Sequence, residues 1–207
     1  MTILKLIIAA KGLVVSGAGP LVRDGWVRSY LERQSVDRAG NPIPWITYSA
    51  IDFLSERLPR LERVFEYGSG NGTRWWAERS DQVKAVENDI AWYEKMKRLV
   101  PPNVDLSHEE LDNGSSYEEK ILADQFEYDV IVVDGRRRNR CMVHSLKKIK
   151  PNGIIILDNS DRPEYEQGIA ELLVTGFRRI DFSGFCPIVN IKSKTAIFYR
   201  DQNLLRI

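Results

Sequence analysis

Residues 64–73 form the stretch with the clearest chemical pattern, VFEYGSGNGT. A short apolar run ends in an acid, Glu66, and glycines follow at every second position. This order predicts a β-strand, a tight turn and a helix, the arrangement that holds a nucleotide-like ligand at the edge of an open α/β sheet. Glycines allow the backbone to turn sharply and to approach a ligand closely. The candidate ligand-binding residues of this turn are Glu66, Gly68, Ser69, Gly70, Asn71 and Gly72.

The spacing of the glycines argues against a dinucleotide as the ligand. The dinucleotide fingerprint requires its third glycine at the position of Thr73. The carboxylate of Glu66 would repel a pyrophosphate, whereas it would attract a cationic amine. A ligand with an adenosine half and an ammonium half fits better than NAD, and S-adenosylmethionine is such a ligand.

Acidic and amide side chains also follow two later strand patterns. Asp134 ends the apolar run 128–134, and Asp158 and Asn159 end the run 154–158. Adjacent parallel strands open on the same crevice, where substrates bind. Two carboxylates and an amide there are hard oxygen ligands, which suit Mg²⁺ or another divalent cation. We therefore predict Asp134 and Asp158 as catalytic residues and Asp134, Asp158 and Asn159 as metal ligands.

Seven stretches have the pattern of β-strands: 64–67, 82–87, 104–106, 128–134, 154–158, 177–182 and 195–199. The first five are connected largely by helical patterns, whereas the last two follow each other without a helix. We also predict a helix from Thr47 with a capping box of Ser49 and Asp52, a helix through Ile149, and a turn at 151–153. The predicted fold class is α/β, a doubly wound, Rossmann-like, mostly parallel seven-stranded sheet with a C-terminal antiparallel hairpin.

The composition indicates one globular domain with a substantial core, because the chain has 207 residues and ordinary apolar and charged contents. The formal charge is +1, so no overall charge points to nucleic acid or to an anionic membrane. No stripe of interleaved basic and aromatic residues indicates nucleic-acid binding either. The two cysteines have neither zinc-site nor disulfide-framework spacing. We expect a cytoplasmic protein.

Residues 4–15 are apolar apart from two lysines. The stretch is shorter than the ~20 apolar residues that span a bilayer, so it predicts a packing or interfacial helix. It can lie on its own domain, on a second copy in a homodimer, or on a membrane surface as a peripheral contact. We interpret residues 1–44 as an N-terminal extension or cap and residues 45–207 as the main domain.

The glycine turn, Glu87 placed 21 positions after Glu66, and the terminal hairpin resemble the class I S-adenosylmethionine-dependent methyltransferases over residues 45–207. More narrowly, the segments 41–48, 134–136 and 157–162 resemble bacterial FkbM-like O-methyltransferases.

The resemblance implies roles for individual residues. Glu66 lies near the methionine ammonium, Gly68 and Gly70 line the cofactor, and Glu87 accepts hydrogen bonds from both ribose hydroxyls. Tyr48 or Thr47 offers a hydroxyl to the cofactor carboxylate. Asp134 lies beside the cofactor as well as the acceptor.

The acids at 134 and 158 resemble those of metal-dependent O-methyltransferases. In those enzymes a lysine three positions after the first acid is the base, but here that position is Arg137. Arginine stays protonated in proteins, so it cannot accept a proton. The predicted base is therefore Asp134, Asp158 or a metal-bound hydroxide, with His144 and His108 as further candidates.

Four arginines, at 136–138 and 140, lie beside the predicted acceptor crevice. They form either a solvated loop or a site for an acidic group of the acceptor. We expect methyl transfer from S-adenosylmethionine to an oxygen of a small molecule or glycan. One alternative is an enzyme that transfers an aminopropyl group. The other is a non-catalytic binding or scaffold module, which residues 4–15 could hold at a membrane.

Overall fold

The computed structural model describes residues 3–14 and 19–207. Its strands are β1 Leu61–Tyr67, β2 Ser80–Glu87, β3 Val104–His108, β4 Tyr128–Val133, β5 Ile149–Leu157, β6 Arg178–Phe185 and β7 Lys192–Tyr199. They form one seven-stranded sheet in the order β3-β2-β1-β4-β5-β7-β6. All neighbours from β3 to β5 are parallel, and β7 is antiparallel to both β5 and β6. The predicted fold class is confirmed.

Helices pack on both faces of this sheet, and further helices precede them in the chain. The helices are α1 Ile3–Val14, α2 Pro20–Arg23, α3 Trp26–Glu32, α4 Tyr48–Arg57, α5 Asn71–Arg79, α6 Ile90–Met96, α7 Ser116–Glu119, α8 Arg138–Ser145 and α9 Glu166–Val174. Short 3₁₀ turns follow at Lys120–Ala123 and Pro163–Tyr165.

Alternate residues of the central strands supply two separate hydrophobic cores. In β1, Val64 lies in the core with α4 and α5, whereas Phe65 lies in the core with α8 and α9. Successive side chains of a strand point to opposite faces, so a strand covered on both sides is apolar throughout. All six residues of β4 are buried accordingly. This double covering leaves the strand ends as the place where polar side chains can meet a ligand.

Two local predictions are wrong. Residues 151–153 do not form a turn between a helix and β5. Instead, β5 begins at Ile149, which pairs with Tyr128, and a shift of register follows before Val130. The predicted capping box at the start of α4 is also absent, since the N-cap residue is Thr47. The Thr47 hydroxyl donates a hydrogen bond to the carbonyl of Phe182 instead.

The N-terminal residues behave in two ways. Residues 19–44 are tied to the main domain: Trp26 Nε1 donates to the Val189 carbonyl in the loop after β6 at 2.7 Å, and Asn71 Nδ2 of α5 donates to the Ser35 carbonyl at 2.8 Å. By contrast, residues 3–13 of α1 are all exposed. Within the described ranges, no helix is long and apolar enough to cross a bilayer.

Candidate functional site

The turns after β1 and β4 touch each other at the point where the sheet order reverses. Gly68 has a φ of 100°, a left-handed conformation that favours glycine. A Cβ atom on Gly68 would lie 3.4 Å from the Cα of Gly135, and one on Gly135 would lie 2.0 Å from the Tyr117 hydroxyl oxygen. Both turns therefore require glycine. This position between β1 and β4 is the switch point at which open α/β sheets bind ligands.

The next glycine borders open space. A Cβ atom added to Gly70 would meet no protein atom within 4 Å. The amide of Gly70 donates to the Thr73 hydroxyl at 2.9 Å, which fixes the start of α5. The backbone of this turn is thus held in place and is open to a ligand on the side of Gly70.

Glu66 lies beneath this turn and is almost completely buried. Its Oε2 accepts a hydrogen bond from the Thr73 hydroxyl. Burial raises the pKa of Glu66 to about 8, although the Thr73 hydrogen bond lowers it, and the nearby Asp134 and Glu87 raise it further. The Glu66 carboxyl is therefore largely protonated at neutral pH unless a cation comes close.

The Glu87 carboxylate lies at the tip of β2 and faces the glycine turn. Its Oε1 accepts from the backbone amides of Asn88 and Asp89 at 2.8 and 3.0 Å, and its Oε2 accepts from the Ser69 hydroxyl at 2.9 Å. Trp92 Nε1 donates to the Ser69 carbonyl at 2.8 Å. The two backbone donors fix one oxygen, so the other remains directed at the turn.

Asp134 and Asp158 lie at the ends of the adjacent strands β4 and β5, as predicted. Arg138 Nη2 donates to Asp134 Oδ1 at 2.9 Å. The Thr195 hydroxyl donates to Asp158 Oδ1 at 2.9 Å and accepts from the Thr47 amide at 3.0 Å. Burial and the charge of Asp134 raise the pKa of Asp158 above its ordinary value. Asp158 is thus a buried acid that can exchange a proton near neutral pH.

Asn159, the third predicted metal ligand, turns its amide nitrogen to the Ser193 hydroxyl at 3.0 Å. Its φ is 50°, and Arg137 has a φ of 48°. Such left-handed non-glycine residues are uncommon and cluster at functional sites. Over residues 3–14 and 19–207, no group of three or more His, Cys, Asp or Glu side chains is placed to hold a metal ion. The guanidinium of Arg138 already contacts Asp134 Oδ1, so the predicted set offers a divalent cation fewer free oxygens.

The arginine run is mostly engaged within the protein. Arg137 and Arg140 both form ion pairs with the fully buried carboxylate of Glu118, at 3.2 and 2.9 Å. Arg137 also donates to the carbonyls of residues 112 and 114. In the described part of the chain, the exposed side chain of Arg136 has no hydrogen-bond or ion-pair partner. Arg137 and Arg140 of this run therefore mainly hold residues 112–118 in place.

A cavity of about 530 Å³ opens beside Arg138. Its lining residues are Asp112, Asn113, Arg137, Arg138, Asn139, Arg140, Glu164, Tyr165 and Gln167.

Tyr48, a predicted cofactor-binding residue, is buried in the core on the α4 side, and burial raises the pKa of its hydroxyl to about 12. Its predicted contact with a cofactor remains a prediction.

Sequence reasoning missed several of these partners. Thr73 could have been found from its place three residues after Gly70, where a hydroxyl often caps the start of a helix. Thr195 carries no such signal, because it is 37 residues from Asp158. The role of Trp92 against Ser69 is likewise visible only in three dimensions.

Solved structures with the same fold include several methyltransferases. A candidate O-methyltransferase from Klebsiella pneumoniae aligns over 95% of this chain and 94% of its own, with 19% identity and a TM-score of 0.58. An rRNA methylase from Streptococcus thermophilus aligns over 74% of this chain and 95% of its own, with 16% identity and a TM-score of 0.53. This is the methyltransferase fold.

The fold alone does not select one reaction. A spermidine synthase from Thermotoga maritima aligns over 72% of this chain and 56% of its own, with 12% identity and a TM-score of 0.51. The sequence matches no protein-family model and no curated protein. One fold supports many activities, so the reaction has to be argued from the site.

Proposed function

We propose that this chain is an S-adenosylmethionine-dependent methyltransferase that acts on an oxygen atom of a small molecule or glycan, within an FkbM-like group. The observation that carries the proposal is the meeting of the glycine turn with Glu87 and Asp134 at the switch point of the sheet. The Klebsiella pneumoniae structure, which shares the fold over nearly all of both chains, supports oxygen as the acceptor atom.

The residues of the turn fit this cofactor. Gly68 and Gly70 give it a close approach to the backbone. Glu87 Oε2, which now accepts from the Ser69 hydroxyl, would accept from the ribose hydroxyls, while the backbone amides hold Oε1. Glu66 would lie near the ammonium group, whose positive charge would favour the ionised carboxylate. Cofactor binding is therefore coupled to release of a proton from Glu66.

When bound, the cofactor supplies a methyl group on a sulfonium, which is a good leaving group. The chain has to hold the acceptor hydroxyl in line with that methyl and remove its proton. Asp158 suits proton removal, since burial and the charge of Asp134 make its carboxylate more basic and its described partner is the neutral Thr195 hydroxyl. Burial raises the pKa of Asp134 and Arg138 offsets part of that rise, but the ion pair occupies Asp134 Oδ1, so we assign Asp134 to positioning.

The acceptor class follows from what remains free around the site. Three arginines of the run have partners within the protein, which leaves the exposed Arg136 for an acidic group of the acceptor. Acidic glycans and other anionic small molecules are therefore the first acceptors to test.

Isothermal titration with S-adenosylmethionine, and with NAD in parallel, tests the cofactor. Glu87→Ala should weaken binding by about 1–3 kcal/mol, the scale of a lost hydrogen bond to a charged group. Glu94→Ala, which removes an exposed acid of α6, should leave the affinity unchanged. If the Glu87 variant bound S-adenosylmethionine as tightly as the unaltered chain, Glu87 would not be part of the ribose site.

Formation of S-adenosylhomocysteine separates the enzyme from the scaffold alternative. Asp158→Asn should keep cofactor binding and lose turnover with an active acceptor. Cofactor binding without turnover on any tested acceptor would favour a binding module.

A further inference from the structure

Arg138 is the first residue of α8 and lies between the ends of β4 and β5. It is only 7% exposed, although arginine is rarely buried unless it is paired. The ring of Tyr165 covers its guanidinium, with 5.2 Å from Cζ to the ring centroid. A buried permanent charge at this place needs a structural or functional reason.

The hydrogen bonds of Arg138 join the two strand ends. Nε donates to the Gly135 carbonyl at 3.0 Å, and Nη2 donates to both the carbonyl and Oδ1 of Asp134, at 3.0 and 2.9 Å. Nη1 donates to the carbonyl of Asp158. The planar guanidinium thus contacts backbone oxygens after both strands and one carboxylate oxygen.

Each of the two acids that a divalent cation would need at this edge of the sheet already has one carboxylate oxygen engaged within the protein. Asp134 offers Oδ1 to Arg138, and Asp158 offers Oδ1 to Thr195. The amide nitrogen of Asn159 is turned to Ser193. A guanidinium cannot lose its proton in a protein, so it repels any ion that approaches the same acids.

We propose that Arg138 is the resident cation of this site, and that it takes the place of a divalent metal beside Asp134 and Asp158. The inference rests on the proposed function only in assigning the acids to acceptor binding. The guanidinium holds the two strand ends at a fixed spacing, and its positive charge neutralises Asp134 without a metal ion. Methyl transfer at this site is therefore independent of divalent metal.

Mn²⁺ binding, followed by the electron paramagnetic resonance signal of the free ion, tests the proposal on the full chain. The unaltered protein should take up no stoichiometric Mn²⁺. Arg138→Ala frees the acids and should bind one ion per chain, and adding Asp134→Asn should abolish that binding. Arg136→Ala removes the same formal charge from an exposed position two residues away and should gain no ion.

One Mn²⁺ bound to the unaltered chain and lost in Asp134→Asn would overturn the proposal, and this comparison does not require the Arg138 variant to fold. A folded Arg138→Ala protein that binds no ion would equally overturn it. Isothermal titration of S-adenosylmethionine on the same samples keeps the two questions apart. Absent cofactor binding would refute the proposed function, whereas the Mn²⁺ results would still decide the role of Arg138.

Discussion

Replacing Glu66 by glutamine changes the charge of the most deeply buried acid beneath the glycine turn while it keeps the shape of the side chain. The oxygen of a glutamine can still accept the Thr73 hydroxyl. The substitution therefore removes the ionisation and preserves the main contact. We expect it to change how stability depends on pH, with little effect on the fold.

The size of the effect follows from the pKa of Glu66, which is about 8 in the folded protein against an ordinary value of 4.5. Between these values the folded protein holds a proton that the unfolded chain releases, so the free energy of unfolding falls as pH rises. One pKa unit corresponds to about 1.36 kcal/mol, so Glu66 lowers the free energy of unfolding by about 3 kcal/mol at pH 7. At pH 4 both states are largely protonated, and the contribution almost vanishes.

Urea unfolding followed by tryptophan fluorescence, at intervals from pH 4 to pH 8, measures this contribution. The free energy of unfolding of Glu66→Gln, minus that of the unaltered chain, should grow with pH across this range. Glu94→Gln changes the same formal charge at an exposed site of α6 and serves as the control. Parallel curves for the Glu66 variant and the unaltered chain would refute the reasoning, because they would mean that the buried carboxyl titrates as it does in water.

Three further predictions concern the turns and the N-terminal helix. Gly135→Ala should lower the free energy of unfolding by about 1–3 kcal/mol in urea, since its Cβ would overlap the Tyr117 hydroxyl; an unchanged midpoint would contradict that overlap. Gly70→Ala should leave stability within about 0.5 kcal/mol but weaken S-adenosylmethionine binding in a titration, and equal affinity would place the cofactor elsewhere. We propose that exposed α1, with its two lysines, contacts anionic membranes, so deleting residues 1–14 should abolish cosedimentation with phosphatidylglycerol vesicles. Failure of the intact chain to sediment would end that proposal.

The sheet and the placement of the strand-end acids could be predicted from the sequence because both depend on local patterns. Glu66 and Glu87 each end an apolar run, and a parallel sheet brings such ends to one edge. The same reasoning placed Asp134 and Asp158 together. Strand ends are thus the part of a candidate site that local sequence patterns can locate.

The partners of these acids depend on contacts between distant residues and could not be predicted. Arg138 belongs to a run that reads as a solvated loop, yet tertiary packing buries it between two strands. The helix α7 gave no clear pattern, since it is four residues long and its buried Glu118 depends on two later arginines. At residues 151–153, where the proline and glycine predicted a turn, β5 continues through an irregularity between the pairs Tyr128–Ile149 and Val130–Ile154.

The hydrogen bonds through Thr195 also bear on how the protein is made. Thr195 joins Asp158 to Thr47, and Thr47 precedes Thr195 by 148 residues. During synthesis the segment around Thr47 and the strand ending at Asp158 leave the ribosome before β7 does. The acid therefore lacks its hydroxyl partner until the last strand docks beside β5. Contacts of such long sequence separation slow folding, so the candidate acceptor site forms late. A chain whose synthesis stops before β7 cannot complete this site.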